Sequence, residues 1–409
     1  MVTRKEWKMI LWTMPDAGDQ TKETYASFLN LFKKENPHIP VSVRVFTRNV
    51  LWRRMFTIKN PTYEEEVPDL IQIPHYWTAL LVREGVAENL SQLDPGLSLT
   101  TCLTPLKNHC YKPGTKDIYS YPWWFDISAL HYRADHLRLV TNNPEKDLAT
   151  WESFLKICAA LREQFKDVPG YYPVQNGDWR GSLSMRSALP CVWGRGVDLL
   201  TEDLKQTSVG TKAFKEGLRD YVNLALHNYM PILRERGSLG TMVSGKASLM
   251  LSRKLGLSTF DARRGMQVHT VPVPSTGDQS AAYMSGMNLF INTRSQHKKE
   301  ALAFIKFCAR PEIQVHYAKL LEVFPAYEDA LELFMLSSSR RLRIYGGILS
   351  AARTIPNITI TGTIMEILKR ILAVCATQIV EDRFTQASLD RELDLAAREI
   401  EYLLSIYES

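Results

Sequence analysis

Apolar residues recur at two different spacings along the first seventy-four residues of the chain. Apolar runs and strict alternation predict strands over 8–12, 41–45 and 68–74. Helical spacing of three and four predicts helices over 25–32 and 51–58. Strands that alternate with helices in this way are typical of a mostly parallel sheet with helices on its faces.

The same reasoning divides the middle of the chain into further strands and helices. Thr150 is the predicted N-cap of a helix over 151–165, because its hydroxyl can accept from the first turn. The other predicted elements are strands over 118–122 and 127–133 joined by a loop over 123–126, a helix over 213–229, strands over 268–273 and 287–291, and a helix over 297–309.

The last predicted helix has the most regular apolar stripe, with Ser388 as its expected N-cap. Its stripe consists of Leu389, Leu393, Ala396, Ile400 and Leu403. Such a stripe forms either a dimer seam or a packing face toward the protein's own second lobe, and we expect the second.

Length and composition narrow the class of protein. A chain of 409 residues suits two lobes, and 45% hydrophobic with 23% charged residues is typical of a globular protein. The net charge is only +6, and no nucleic-acid-binding signature accompanies the early basic residues. We therefore interpret those residues as a solvated helix face; they are Arg44, Arg48, Arg53, Arg54 and Lys59.

The six cysteines include no CxxC pair, which leaves the redox compartment open. Cys158 and Cys308 lie in apolar helical patterns and are expected to be buried. Cys102 and Cys110 leave a minor alternative open, in which they form a bridge or bind a metal together with His109. We predict no cofactor and no metal.

None of the common catalytic motifs is supported by the residues around it. Gly240 to Lys246 has the spacing of a phosphate-binding loop, but Ala247 stands where a Mg²⁺-binding hydroxyl is needed and no strong strand precedes it. Asp126 and Asp178 remain open as the two carboxylates of a glycosidase. A carbohydrate-active enzyme is therefore one of the alternatives.

Aromatic and polar residues concentrate in the predicted loops, particularly 13–19 and 75–77. Loops at the carboxyl ends of parallel strands are where ligands of such sheets bind. Flat aromatic rings beside carboxylates and amides fit the apolar faces and hydroxyl rim of a sugar. The residues concerned are Trp12, Tyr76, Trp77, Trp123, Trp124, Asp126, Asp178 and Trp179.

Several short segments also follow the motif order of one protein family. They include Val67-Pro-Asp69-Leu-Ile, Thr150-Trp151-Glu152, Ser244-Gly-Lys-Ala247 and Pro311-Glu-Ile-Gln314. Each motif is weak alone, and their shared order along most of the chain is the specific signal. The chain resembles the bacterial extracellular solute-binding proteins of the maltose and multiple-sugar type, which serve ABC importers.

The resemblance implies an α/β, two-lobed periplasmic-binding-protein fold (type II). Each lobe would be a mostly parallel sheet flanked by helices, with crossing hinge strands near 127–133 and 282–288. The expected lobes are 1–127 with 284–330, and 128–283 with 331–409.

The resemblance further implies a carbohydrate ligand held by lobe closure, ABC permease subunits as partners, and a monomer without nucleic acid. It adds Asp16 and Arg253 to the candidate site. The implied location is the periplasm or cell surface, although no export signal is evident in this numbering. A cytosolic or fused sensor of the same fold, and a binder of another polar solute, remain alternatives.

Overall fold

The computed structural model describes residues 7–16, 21–60, 66–177, 183–232, 238–253, 266–337 and 340–407. Its strands are β1 (Met9–Thr13), β2 (Val41–Val45), β3 (Leu70–Pro74), β4 (Tyr121–Ile127), β5 (Ala129–Arg133), β6 (Val174–Asn176), β7 (Leu249–Ser252), β8 (Val268–Val271), β9 (Ala282–Ile291), β10 (Phe324–Pro325) and β11 (Ala352–Arg353).

The helices, in chain order, are α1 (Thr21–Glu35), α2 (Arg48–Thr57), α3 (Thr78–Arg83), α4 (Leu90–Leu93), α5 (Thr104–Lys107), α6 (Ala134–Leu137), α7 (Pro144–Asp147), α8 (Trp151–Gln164), α9 (Met185–Gly194), α10 (Lys212–Leu226), α11 (Ser238–Val243), α12 (Lys298–Cys308), α13 (Pro311–Leu321), α14 (Glu328–Leu336), α15 (Arg340–Leu349), α16 (Thr361–Val380) and α17 (Gln386–Tyr407). A 3-10 turn, His75–Trp77, joins β3 to α3.

The chain forms two compact units and passes between them inside β4 and inside β9. Unit 1 comprises Met1–Phe125, Ser285–Ser337 and Asn357–Thr359, and unit 2 comprises Asp126–Met284, Ser338–Pro356 and Ile360–Ser409. The lobe boundaries expected from the sequence stay a prediction.

The sheet of unit 1 is built around three parallel strands. β1 pairs with β2 on one side and with β3 on the other, both in parallel. β3 then pairs with β9 in the antiparallel direction, and β10 pairs with β4 in the same way. All five residues of β3 are buried, as expected for a strand with both faces covered.

Helix α1 supplies part of the core of unit 1. Its Tyr25, Phe28 and Phe32 are fully or almost fully buried, as their spacing of three and four predicts. The ring of Phe28 packs edge-to-face against Trp123, with centroids 5.3 Å apart, and against Tyr317 at 5.2 Å. The predicted helix is therefore confirmed and contacts the core through its apolar stripe.

The sheet of unit 2 corrects one expectation. Its order is β6-β7-β5-β8, and only β6 and β7 are parallel, whereas β5 runs antiparallel to both β7 and β8. The sheets are thus mixed rather than mostly parallel. Strand direction cannot be read from periodicity, because an antiparallel pair needs no helical crossover while showing the same alternation.

The last helix, α17, packs within unit 2. Its buried residues face α10 and α16, and two ion pairs lie at the edge of the contact: Arg219 to Asp390 at 3.0 Å and Lys215 to Asp394 at 2.6 Å. The expected packing on its own lobe is confirmed. The predicted N-cap is wrong, because the helix begins two residues before Ser388, whose N–H donates to Thr385 Oγ1 at 3.0 Å.

Two further expectations have clear outcomes. Thr150 caps α8, since its Oγ1 accepts from the N–H of Ser153 at 3.3 Å. The loop expected over 123–126 is wrong, because these residues lie inside β4, whose seven residues are all buried. A stretch that is apolar at consecutive positions lacks the alternation that would have marked it as a strand.

Candidate functional site

The carboxyl ends of β1, β2 and β3 meet at one edge of the unit 1 sheet. Parallel strands bring the segments that follow them to the same edge, and ligands of such sheets bind there. The segments are 13–16 after β1, 46–48 after β2 and 75–77 after β3. This edge therefore brings together four of the predicted residues of unit 1: Trp12, Asp16, Tyr76 and Trp77.

A buried glutamine orients Asp16 at this edge. The Oε1 atom of Gln72 accepts hydrogen bonds from Thr13 Oγ1, at 3.1 Å, and from the Tyr25 hydroxyl. Its Nε2 is thereby turned to donate to the carboxylate of Asp16. Burial, and next the negative charge of Asp16, raise the pKa of Tyr25, so its hydroxyl stays protonated and available to donate.

The turn that carries Tyr76 and Trp77 is tied to strand β9. The N–H of Gly286 donates to His75 Nδ1 at 2.7 Å, and His75 is completely buried. A Cβ at Gly286 would lie 3.2 Å from the carbonyl oxygen of Trp124 and 3.0 Å from a methyl carbon of Leu106. The close approach explains the glycine, and the hydrogen bond to His75 fixes the turn against β9.

Two arginines of α2 lie over aromatic rings at the same edge. The guanidinium of Arg48 is 5.5 Å from the ring centroids of both Tyr76 and Trp77, and it donates to the Tyr76 hydroxyl. Arg54 lies 4.7 Å from the centroid of Phe46 and 5.5 Å from that of Trp12. Sequence reasoning missed both residues as members of the site.

The interpretation of the basic patch as a solvated helix face is therefore wrong for Arg48 and Arg54, which are partly buried against rings. It fits Arg53, which is exposed on the same helix. The sequence separation of Arg48 and Arg54 from Trp12 and Tyr76 does not indicate that these residues lie together. Only the pairing of β1 with its two parallel neighbours brings these residues together.

Trp123 and Trp124 separate into different roles, because neighbouring residues of a strand point to opposite faces. Trp123 packs in the core, with its ring centroid 4.3 Å from that of Tyr317. Its ring also packs against Phe28, so Trp123 contributes to the core of unit 1, and its predicted role as a ligand platform stays a prediction. Among the described residues, the indole N–H groups of Trp124 and Trp12 have no hydrogen-bond acceptor.

In unit 2 the structure joins two candidates that are 127 positions apart. Arg253 Nη1 donates to both carboxylate oxygens of Asp126, at 2.6 and 2.7 Å, and Asp126 is 5% exposed. Arg253 directly follows β7 and Asp126 lies near the end of β4. Charge-assisted bonds of this kind are stronger than neutral ones and hold both groups in fixed positions.

Gly177 brings the end of β6 against β7. A Cβ at this position would lie 2.6 Å from Cβ of Ser252, closer than two carbons can approach. The two predicted residues that follow it, Asp178 and Trp179, lie outside the described residues. The possible glycosidase pair of Asp126 with Asp178 stays a prediction.

The near phosphate-binding motif is a helix and a turn before a strand. Helix α11 ends at Val243, Gly245 adopts a left-handed conformation with φ of 81°, and β7 begins at Leu249. A phosphate-binding loop instead follows a strand and opens a helix. The order of elements here is the reverse.

All six cysteines are free and buried. Burial raises the pKa of Cys110 to about 12, and Asn288 Nδ2 lies 3.6 Å from its sulfur. The possible bridge between Cys102 and Cys110 is therefore not formed. In the part of the chain that the structure describes, no group of three or more His, Cys, Asp or Glu residues is arranged to hold a metal ion.

Solved structures establish the fold of the whole chain. The sugar-binding protein MalE of Xanthomonas citri matches with a TM-score of 0.79 and 18% identity over 98% of each chain. An ABC transporter solute-binding protein of Thermotoga lettingae, bound to α-D-tagatose, matches with a TM-score of 0.81 and 16% identity over 97% of this chain and 99% of that one. The GacH receptor of Streptomyces glaucescens, solved unliganded and with acarbose, has a TM-score of 0.80 and 18% identity over 98% of this chain and all of the other. The predicted α/β fold of two-lobed periplasmic binding proteins is confirmed.

The family follows from the sequence. The model of the bacterial extracellular solute-binding proteins matches residues 29–338, well over half of the chain, so the protein belongs to this family. Its class is that of a binding protein rather than an enzyme, as the resemblance implied. A search of the curated proteins found no match. None of the helices within the described residues is long and apolar enough to span a membrane.

Proposed function

We propose that the protein is the substrate-binding component of an ABC importer and that its solute is a sugar or oligosaccharide. The observation that carries the proposal is the edge of the unit 1 sheet, where a carboxylate oriented by Gln72 and the rings of Tyr76 and Trp77 lie at the carboxyl ends of neighbouring parallel strands. Rings for the apolar faces of a sugar and polar groups for its hydroxyls are the two requirements of such a site.

Each unit has its own proposed ligand contacts. Unit 1 would contribute Trp12, Asp16, Tyr76, Trp77 and Trp124, and unit 2 would contribute Asp126 and Arg253, with Asp178 and Trp179 as further candidates from the sequence. The family membership and the sugars bound by several proteins of the same fold support this proposal. The working location would be the periplasm or the cell surface.

The test is a thermal-shift screen followed by calorimetry, with neutral and acidic saccharides, polyols, amino acids and polyamines. A ligand present at 100 times its Kd should stabilise the protein by about 2.7 kcal/mol. We expect a saccharide among the hits. If only amino acids or polyamines raise the melting temperature, the proposal is wrong.

The hit should then be titrated against two tryptophan variants. Trp124→Phe keeps an aromatic ring but removes the indole N–H and part of the surface, and it should weaken binding about tenfold or more. Trp7→Ala is the control, because Trp7 is 41% exposed and stacks only on His297 within the described residues. Equal affinities of Trp124→Phe and the parent protein would remove Trp124 from the site.

A further inference from the structure

Arg48 lies in the middle of the candidate site of unit 1. It begins α2, directly after the carboxyl end of β2, and is partly buried. Its guanidinium is equally distant from the rings of Tyr76 and Trp77, at 5.5 Å from each centroid. The rings are the same two that the proposed function assigns to a sugar.

The charge of Arg48 is not balanced within the described residues. Ion pairs in this region join Arg44 to Glu66 and Lys59 to Glu84, and none of them includes Arg48. Helix α2 itself has no acidic residue, and the carboxylate of Asp16 is bonded to Gln72. Within this described region, a positive group lies partly buried against two rings without a carboxylate to neutralise it.

The remaining N–H groups of Arg48 fit a particular ligand chemistry. One group donates to the Tyr76 hydroxyl, and the central carbon of the guanidinium lies over the rings of Tyr76 and Trp77. Within the described residues its other N–H groups have no acceptor, and a carboxylate can bind such a planar fork in a bidentate manner. Burying a charge without a partner is costly, so a bound anion gains what a neutral ligand cannot.

We propose that the solute is an acidic saccharide, and that the carboxylate of a uronic acid residue binds Arg48 beside the turn that carries Tyr76 and Trp77. The inference rests on the proposed function and narrows it to one class of sugar. It makes Arg48 the residue that determines specificity for charged over neutral saccharides.

The test compares ligands that differ in one group. Uronic acid trisaccharides of galacturonate, glucuronate and mannuronate, and their carboxyl-reduced neutral counterparts, are titrated into the full-length protein by calorimetry. We expect at least one acidic trisaccharide to bind about 10- to 100-fold more tightly than its neutral counterpart, as a charged hydrogen-bonded pair provides. Added salt should reduce the difference.

Variants of α2 test whether Arg48 causes the preference for the acidic trisaccharide. Arg48→Gln should weaken the acidic trisaccharide about 10- to 100-fold more than its neutral counterpart, which removes the preference. Arg48→Lys should retain part of the preference, because it keeps the charge but loses the planar fork. Arg53→Gln is the matched control, since Arg53 is an exposed arginine of the same helix, and it should change neither affinity.

The possible results separate the inference from the proposed function. Tight binding of neutral saccharides without preference for an acidic one overturns the inference and leaves the proposed function intact. Absence of any saccharide binding overturns the proposed function. An equal loss of both ligands in Arg48→Gln, with an unchanged melting temperature, shows that Arg48 only supports Tyr76 and also overturns the inference.

Discussion

Gly217 offers a sharp test of the packing in unit 2. It lies inside α10, where the helix crosses α9, and its missing side chain allows the two backbones to come close. A Cβ at this position would lie 2.6 Å from Cα of Val192, 2.9 Å from the carbonyl oxygen of Cys191 and 3.0 Å from the Val192 nitrogen. All three are backbone atoms, which cannot rotate away as a side chain can.

Two effects of Gly217→Ala oppose each other. Alanine gains about 1 kcal/mol over glycine inside a helix. Overpacking costs typically about 1–3 kcal/mol, and a contact more than 0.5 Å too short with backbone places this site at or above the upper end. We therefore expect a net loss of about 2 kcal/mol in the free energy of unfolding.

A matched glycine in the same unit isolates the helix effect. Gly347 lies inside α15, is exposed, and has nothing within 4 Å of a Cβ built on it. Gly347→Ala should therefore stabilise unit 2 by about 0.5–1 kcal/mol. Urea denaturation followed by circular dichroism measures both variants. If Gly217→Ala is as stable as the parent protein, the close contact of α9 with α10 is wrong.

Two further predictions concern buried polar groups. Burial lowers the pKa of His131 to about 4, whereas its pKa in the unfolded state is near 6.5. As the pH falls, the unfolded state therefore takes up a proton before the folded state does. The stability due to His131 is present above about pH 6.5 and is lost toward pH 4. Between pH 7 and pH 5 the parent protein should lose about 2 kcal/mol more than His131→Gln in urea titrations, and equal losses would contradict a neutral buried imidazole. Gln72→Glu keeps the acceptor for Thr13 and Tyr25 but sets a second carboxyl against Asp16. Because both burial and that neighbour favour the protonated form of the new group, the destabilisation should be about 2 kcal/mol or more at pH 8 and should shrink toward pH 5; a variant that is fully stable at pH 8 would exclude the contact of Gln72 with Asp16.

Local patterns were sufficient for most of the elements in unit 1. The alternation in Val41–Val45 and the helical spacing of Tyr25, Phe28 and Phe32 depend on which face of an element meets the core, and that information is local. Ligands of parallel sheets bind at the carboxyl ends of the strands, and this predicts Trp12 and Tyr76 at one edge even when the strand order is unknown. These parts of the site could be predicted from the sequence.

The strand β4 could not be recognised in the same way. Its residues are buried at every position, so no alternation marks it, and Pro122 argues against an interior strand. The difference matters for the candidate site, because the sequence pattern places Trp123 and Trp124 together in one loop. In a strand they lie on opposite faces and therefore have different neighbours.

The surroundings of Arg48 depend on the pairing between strands. The sequence around Arg48 does not reveal that pairing. An arginine at the start of an exposed-looking helix is most simply a solvated charge, and for Arg53 this interpretation holds. Arg48 differs because β2 pairs with β1, and β1 with β3, so the first turn of α2 lies beside the turn that carries Tyr76. Its charge then meets two rings instead of water. A ligand preference set by such a residue can change through one substitution on α2 while the fold and the rest of the site stay as they are, which is why the Arg48 and Arg53 variants separate specificity from stability.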